Sequence, residues 1–522
     1  MDTDRGLVEH YPVVIVGAGP TGMTAALLLA RYGIECLIVD RWDEVYPQPR
    51  AVHLDDEVYR VLADLGLGEE FAGISRPGRG LRLVDSAITT LAEFDRDPDR
   101  MPHGFPQANM FDQPDLERVL RSRVAATEGV RIRGGCEVLE VANLRDRARV
   151  RYRDAETGER RAVTAEFVLG CDGANSVVRA SIGSRMRDLG FEQRWLVVDI
   201  ATDTDLGQWE GVHQVCDPER AATYMRIGAS RYRWEFKLRD DETADQYATL
   251  DTIEPLVSPW LREVSDPELT LIRSTEYTFR AQVVDRWRDR RVFLLGDAAH
   301  LTPPFIGQGM GAGLRDAHNL IWKLVAFSRS ELPDDALDTY QSERDPHVAS
   351  MIGLAVAVGR AMTSGAAAGQ VIRKRVVPLL GHIPLLRSKV TDSATPRLSR
   401  SIFVTRQAIQ PRDLAGSLCP NCVVDGSTRV DEIAAGRFLF LATTPLTREQ
   451  RTELDRRGAA ILTVPASSEL GEWLRRGRAT AAIVRPDKTV LATSRSVPSL
   501  HTRVPSCPAL SSTSTHRSSH GG

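Results

Sequence analysis

Short runs in which every position is apolar alternate along this chain with longer runs whose apolar positions recur every three to four residues. Residues 11–16 (YPVVIV) are uninterrupted, rich in β-branched side chains and end on glycine, the pattern of a strand buried on both faces of a parallel sheet. Gly17, Gly19 and Gly22 follow at once, then a helix-forming stretch over 23–32 with Gly33 as its stop. A second apolar run, 36–39, ends in Asp40. Strand, glycine turn, helix, strand and acid in that order predict a βαβ unit starting near residue 12. Beyond it the pattern predicts a helix over about 55–65, a Gly/Pro-rich stretch through Gly80, and a helix over 114–126 opened by Pro114. Strands are expected over 130–141 and 148–153, and a buried strand over 167–171 that ends in Asp172-Gly173.

From about 185 to 285 the pattern changes to alternating runs, as in 195–200 and 232–238, which predict an antiparallel sheet with one solvated face. At 291–295 the buried-strand pattern returns, followed by Gly296-Asp297, a Pro303-Pro304 loop and a glycine-rich entry to a helix over 314–327. The first domain is therefore discontinuous: residues 1–184 and 286–395, with 185–285 inserted. Residues 335–395 read as helices and 400–493 as a third, small α/β domain. The Ser/Thr/Pro/His-rich stretch 494–522 has no periodicity and reads as a disordered tail.

Composition narrows the function classes. At 522 residues, 42% apolar and 26% charged, the chain is an ordinary globular protein of several domains. A net charge of −3 with no block of basic residues argues against nucleic acid as a partner. Seven scattered cysteines suit a reducing cytoplasm better than a disulfide framework, and neither a signal peptide nor a membrane span is readable.

Residues 17–22 (GAGPTG) fit G-x-G-x-x-G: Gly17 turns the chain, Gly19 lets the backbone approach a pyrophosphate, and Gly22 lets helix and strand pack closely. Pro20 and Thr21 fill the turn, and the helix start offers amides and positive dipole to phosphates. Asp40, about twenty residues on and at the end of the next strand, is placed to accept ribose hydroxyls. In CDGANSVVR (171–179), Asp172 and Gly173 are either a loop beside phosphates with Arg179 binding them, or a plain turn with a solvated arginine. In GDAAH (296–300), Gly296 and Asp297 stand at a strand's carboxyl tip, where α/β folds bind ligands. Gly307, Gly309 and Gly311 follow a Pro-Pro loop instead of a strand, so they read as a helix start with free amides and not as a second dinucleotide site. His300 and His318 lack partners at metal-ligand spacing and read as structural; no metal is expected. Cys419 and Cys422 could be a redox pair or half a zinc site; no second C-x-x-C completes the latter, and two unconnected thiols is the plainer reading.

Taken together and in this order, the three segments 17–22 with Asp40, 171–179 and 290–300 (RRVFLLGDAAH) resemble the group A flavoprotein aromatic hydroxylases, over nearly the whole chain to about residue 493. The resemblance implies an α/β fold: a discontinuous Rossmann-like FAD-binding domain, an inserted antiparallel-sheet substrate domain and a C-terminal thioredoxin-like domain. It implies FAD contacts at Gly17 through Gly22, Asp40 and Arg41, with Asp172, Gly173, Gly296 and Asp297. It places Arg50 near the flavin and Gln113 on the FAD chain, and it sets Pro304, Gly307, Gly309, Met310 and Gly311 against the isoalloxazine, where relatives often carry Asn at the Gly311 position. Within the group, residues 49–67, 195–203 and 233–243 are most similar to the 3-(3-hydroxyphenyl)propionate and 3-hydroxycinnamate hydroxylases.

The implied reaction consumes NADH or NADPH as a transient co-substrate and O₂, and hydroxylates a phenolic acid ortho to its hydroxyl through the flavin, with no side chain needed as nucleophile. No base that ionises the phenol is identifiable from the sequence, and Arg220, Arg226, Arg231 and Arg233 are the candidates for holding a substrate carboxylate. The alternatives are a tailoring hydroxylase of a polyketide or antibiotic phenol, and an inactive flavin-binding regulator. A homodimer is left open.

Overall fold

The computed structural model describes residues 9–46, 51–217, 219–262, 264, 267–363, 395–406 and 412–507. Arg50, one of the residues expected near the flavin, lies outside them, as do the expected helical residues 364–394.

The expected βαβ unit forms as Glu9–Val16, Pro20–Arg31 and Cys36–Val39. Its two strands enter a sheet with five neighbouring parallel members in the order Val292–Leu294, Arg160–Gly170, Glu9–Val16, Cys36–Val39, Val130–Arg133. Both faces of the strands are covered, so Val13 to Val16 and Cys36 to Val39 are all buried, which is why they read as unbroken apolar runs. The strand expected over 130–141 is instead two, Val130–Arg133 and Cys136–Asn143, because Gly135 turns the chain at φ +60°. The second of these pairs antiparallel with Ala148–Asp154.

A second sheet of eight strands runs Thr90–Asp95, Gly80–Val84, Val212–Val215, Ala222–Arg226, Arg231–Lys237, Met186–Ala201, Thr270–Val284, His300–Leu301. It draws on residues 80–95, which the pattern reading left with the first segment, as well as on 186–284. Alternation assigns its faces. Leu196, Val198, Tyr224, Tyr232, Trp234 and Phe236 point into an apolar core closed by Trp260; their neighbours in sequence point the other way. A third region holds a four-stranded sheet, Ala460–Thr463, Leu439–Ala442, Ala481–Val484, Val490–Ser494, with helices Arg448–Arg456 and Glu469–Arg476.

Residues 494–507, expected to be without structure, instead form two short 3-10 turns, Val497–Ser499 and His501–Arg503, that bury Leu500, Val504 and Cys507. Leu500, Val504 and Cys507 are spaced as anchors among polar residues, and Arg457 fixes the stretch by donating to the Val504 carbonyl at 2.6 Å. Residues 508–522 lie outside the described residues.

The C-terminal region is joined to the first by ion pairs, not only by apolar contact. Glu343, on the helix Thr339–Thr363, is fully buried and receives Lys323 at 2.9 Å and Arg485 at 3.0 Å. Arg485 also donates from Nε to Asp487 at 3.0 Å, and Arg60 pairs with Asp431. Glu343 is held well below the usual carboxylate range because these cations outweigh the burial that opposes it. Replacing Arg485→Met leaves Asp487 with the neutral donors of Asn319, Trp322 and Thr489 and weakens the Glu343 cage, and removing one partner from a buried ion pair costs about 3–5 kcal/mol. A thermal or urea unfolding comparison should show that loss; an unchanged midpoint would mean the network is not holding the regions together.

Candidate functional site

Three loops meet at the carboxyl ends of adjacent parallel strands: Gly17 to Thr21 after the first strand, Cys171 to Asn175 after Arg160–Gly170, and Gly296–Ala298 after Val292–Leu294. Gly17 takes φ +108°, and a Cβ there would collide with the Cys171 carbonyl oxygen. At Gly22 a Cβ would strike the Gly17 carbonyl, whereas one at Gly19 would meet nothing within 4 Å. Gly17 and Gly22 therefore serve close packing, and Gly19 leaves open backbone facing the space in front of helix Pro20–Arg31. That helix start has no side-chain cap and no acid in its first turn, so its amides and positive dipole end are available to an anion.

This space is one mouth of a cavity of about 1190 Å³. Gly17, Gly19, Pro20, Thr21, Asp40, Arg41, Gln113, Asp172, Gly173, Asp297, Pro304, Gly307, Gly309 and Met310 all line it. Gly22, Gly296 and Gly311 do not. Gly296 packs on Thr21 and Gly311 on Arg315 and Val58. Arg315 is fixed there by Asp55, by Glu57 at 2.6 Å and by Gln308 at 3.0 Å. A Cβ at position 311 would press on that guanidinium at 3.0 Å and on Val58 at 3.1 Å.

Asp40 accepts the Ala18 amide at 2.5 Å and the Trp42 amide at 2.7 Å, which holds its carboxylate at the strand end. Gln113 accepts from the Ala51 amide at 2.6 Å and donates to Glu117 at 2.7 Å. Asp172 accepts from the Ser176 hydroxyl at 2.5 Å and the Val178 amide at 3.1 Å, and burial raises its pKa. Arg179 donates to the Ala174 and Ala298 carbonyls at 2.7 and 3.1 Å, so it ties two of the loops together and its guanidinium is not turned to phosphates. His300 is held by Asp316 at 2.7 Å, itself paired with Arg344, which is a structural arrangement. Burial takes the Cys419 thiol up to about 12 and the Cys422 thiol up to about 11, and neither is disulfide-bonded. Among the described residues no group of His, Cys, Asp or Glu is placed to hold a metal ion, and no helix is long and apolar enough to cross a membrane.

The cavity runs on past Gly307 to the second sheet. His53, Arg96, Val212, Gln214, Thr223, Met225 and Glu235 line that end, and none was found from the sequence. His53 holds the Gly307 carbonyl through Nδ1 at 3.2 Å; burial takes it down to about 4, so the ring is neutral. The four arginines expected to be candidates for a substrate carboxylate are engaged elsewhere: Arg220 with Glu242, Arg226 with Asp205 and Glu210, Arg231 with Asp112, Arg233 with Asp199. None of them lines the cavity; Arg96, following the strand Thr90–Asp95, does.

A family model described as an FAD binding domain matches residues 10–355. The chain belongs to this family. A probable NADH-specific resorcinol 4-hydroxylase from Rhodococcus jostii (strain RHA1) is 34% identical, covering 92% of each chain. A 3-(3-hydroxy-phenyl)propionate/3-hydroxycinnamic acid hydroxylase from Mycolicibacterium gilvum (strain PYR-GCK) is 33% identical over 78% of this chain and 70% of its own. Among solved structures, the flavin-dependent monooxygenase PieE in complex with FAD and substrate superposes with TM-score 0.82 at 20% identity, over 96% of this chain and 99% of that one. The protein is thus an FAD-dependent aromatic monooxygenase with the fold of that group, and the mixed α/β architecture expected from the sequence stands.

With both thiols raised by burial, the Cys419 and Cys422 pair is not activated for exchange. Serine at both positions should leave substrate-dependent NADH oxidation within a few-fold; a loss of about a hundredfold, ~2.7 kcal/mol in transition-state terms, would make the thiols participants.

Proposed function

We propose that this monooxygenase hydroxylates a phenolic acid ortho to its hydroxyl, with 3-(3-hydroxyphenyl)propionate giving 3-(2,3-dihydroxyphenyl)propionate. The observation that carries the reading is that the cavity lined by the glycine-turn loops is also lined by one face of the second sheet. A cofactor held at one end can present its reacting ring to a substrate held at the other.

FAD supplies the redox chemistry and the oxygen activation, with NADH or NADPH as reductant. The chain supplies binding and position. Gly19 and the helix start behind it take the pyrophosphate, Asp40 the ribose hydroxyls, and Gln113 and Asp297 the chain between sugar and ring. The Asp172 loop, fixed by Ser176 and Val178, walls the site. The start of helix Gly309–Ser328 carries no acid in its first turn, so the amides at Gly309 and Met310 would favour negative charge on a flavin held there. Phe305 and Ile306 close the space beside the ring against water. A phenol is the fitting substrate electronically, since its oxygen raises density at the ortho carbon, and Arg96, which lines the cavity with Arg41 and Arg121, is the cation we match to an acid side chain.

The same reading divides the chain into an FAD-binding part (1–184 and 286–395), a substrate sheet (185–285) and a thioredoxin-like region (400–493). The separate sheets support it, and strands Gly80–Val84 and Thr90–Asp95 attach to the substrate side.

Two outcomes test this. The purified protein incubated with 3-(3-hydroxyphenyl)propionate, NADH and O₂ should give the dihydroxy product by mass; NADH oxidation stimulated only by bulky polycyclic phenols would contradict it. Gly19→Ala, whose added methyl meets no protein atom within 4 Å, should leave folding intact yet weaken FAD retention by about tenfold or more. Full FAD occupancy in that variant would move the pyrophosphate elsewhere.

A further inference from the structure

One polar row crosses the cavity-facing side of the second sheet. Gln214 stands opposite Thr223, and Thr223 opposite Glu235, on three adjacent strands, so the row spans about 10 Å of backbone. The flanking row on the same face is Leu81, Val212 and Met225, an apolar floor. All six line the cavity.

The free valences of the polar row include the Gln214 Oε1 and Glu235 carboxylate acceptors, with the Thr223 hydroxyl, able to donate or accept, between them. Gln214 donates Nε2 to the Phe305 carbonyl at 3.2 Å; the opposite amide orientation would set oxygen against oxygen, so the bond fixes which end is which. Its Oε1 is buried with no hydrogen-bond partner. The Glu235 residue is 8% exposed, and among the described residues its carboxylate takes no hydrogen bond and no ion pair within 4 Å. Arg233, next on the same face, is occupied by Asp199 at 2.6 Å, and Asp199 is shared with Arg273 at 2.9 Å. A carboxylate that lines a cavity and takes no protein donor is open to a ligand that brings one.

Resting on the phenol-hydroxylase reading, we propose that Glu235 receives the substrate's phenolic hydroxyl and acts as the base that takes its proton. In the step, the phenol O–H bond breaks and an O–H bond forms on a Glu235 carboxylate oxygen. The electron pair stays on the phenol oxygen and raises density at the ortho carbon, the negative charge passing from carboxylate to ring; no other reactant is needed. Burial raises the Glu235 pKa, with Asp199 adding to it and Arg233 and Arg273 opposing, which makes it a stronger proton acceptor than an exposed glutamate. The row also sets specificity. It repels a carboxylate, so an acid side chain must turn away from the row, and an ether oxygen brings Glu235 no proton.

The test uses the full FAD-loaded chain, with ligand binding followed by the change in flavin absorbance without NADH. The wild type should bind 3-(3-hydroxyphenyl)propionate about tenfold or more tightly than its methyl ether, 3-(3-methoxyphenyl)propionate, the worth of a hydrogen bond to a charged group. Glu235→Gln should cut that preference to about threefold or less and lower the hydroxylation kcat by about a hundredfold, the scale of a lost general base. A Glu235→Gln enzyme that keeps both the preference and kcat overturns the assignment while phenol hydroxylation stands. Equal binding of phenol and ether by the wild type overturns it too, and that comparison decides even where the variant holds no FAD. A wild type that hydroxylates no phenol overturns the functional reading and the base with it.

Discussion

The geometry of the site depends on a junction whose glycines leave no room for a Cβ of their own. Gly17 backs onto the Cys171 carbonyl, Gly22 onto the Gly17 carbonyl, and Gly313, one helical turn into Gly309–Ser328, onto Thr21. Gly296 also rests on Thr21. Three strand-end loops and two helices thus meet around the Thr21 side chain, with Gly17 and Gly22 at backbone contact closer than a Cβ allows. Because the loops touch there, Asp40, Asp172 and Asp297 open onto one cavity, and the start of the second helix is aimed into the same space. Arg179 and Asp316 hold the arrangement from behind, through the Ala298 carbonyl and the Gly296 amide at 3.1 and 3.0 Å.

The second constraint is the sheet with unlike faces. On one, aromatic side chains stack among themselves, with Tyr224 5.2 Å from Trp234 and 5.7 Å from Trp260. Packing of that kind pins the register, and the register places Gln214, Thr223 and Glu235 in line on the other face. Phe305 links this sheet to the helix start. Its carbonyl takes Gln214 while its ring packs edge-on against Trp195 at 5.5 Å. The segment carrying Gly307 and Gly309 is thereby held at a fixed height over the polar row, which is the distance a cofactor and a substrate must share.

Local pattern made much of this legible. The βαβ unit, the strand-end acids and the glycine-rich helix entry are each written in a few consecutive residues, because buried parallel strands and tight turns constrain composition locally. The substrate end is not local. Gln214, Thr223 and Glu235 look like the polar half of alternating strands, and their convergence depends on pairings across the sheet. Arg96 and His53 reach the cavity from segments that carry no recognisable motif. Arg220, Arg226, Arg231 and Arg233 were plausible by charge alone, and each proved to have an acid nearby that charge counting could not locate. The tail misled for a related reason: Leu500, Val504 and Cys507 are too widely spaced among serines and prolines to register as a pattern, yet each finds a buried place.

The account's central claim is that one cavity holds cofactor and substrate in line, from Asp40 through Gly19 and Met310 to Glu235. A crystal structure of the protein with FAD and 3-(3-hydroxyphenyl)propionate tests it most directly. The account predicts the FAD ribose at Asp40, its ring against residues 307–310, and the phenol oxygen within hydrogen-bond distance of Glu235. A flavin ring lying away from the second sheet, or a substrate whose hydroxyl faces elsewhere with Glu235 still unpartnered, would contradict it.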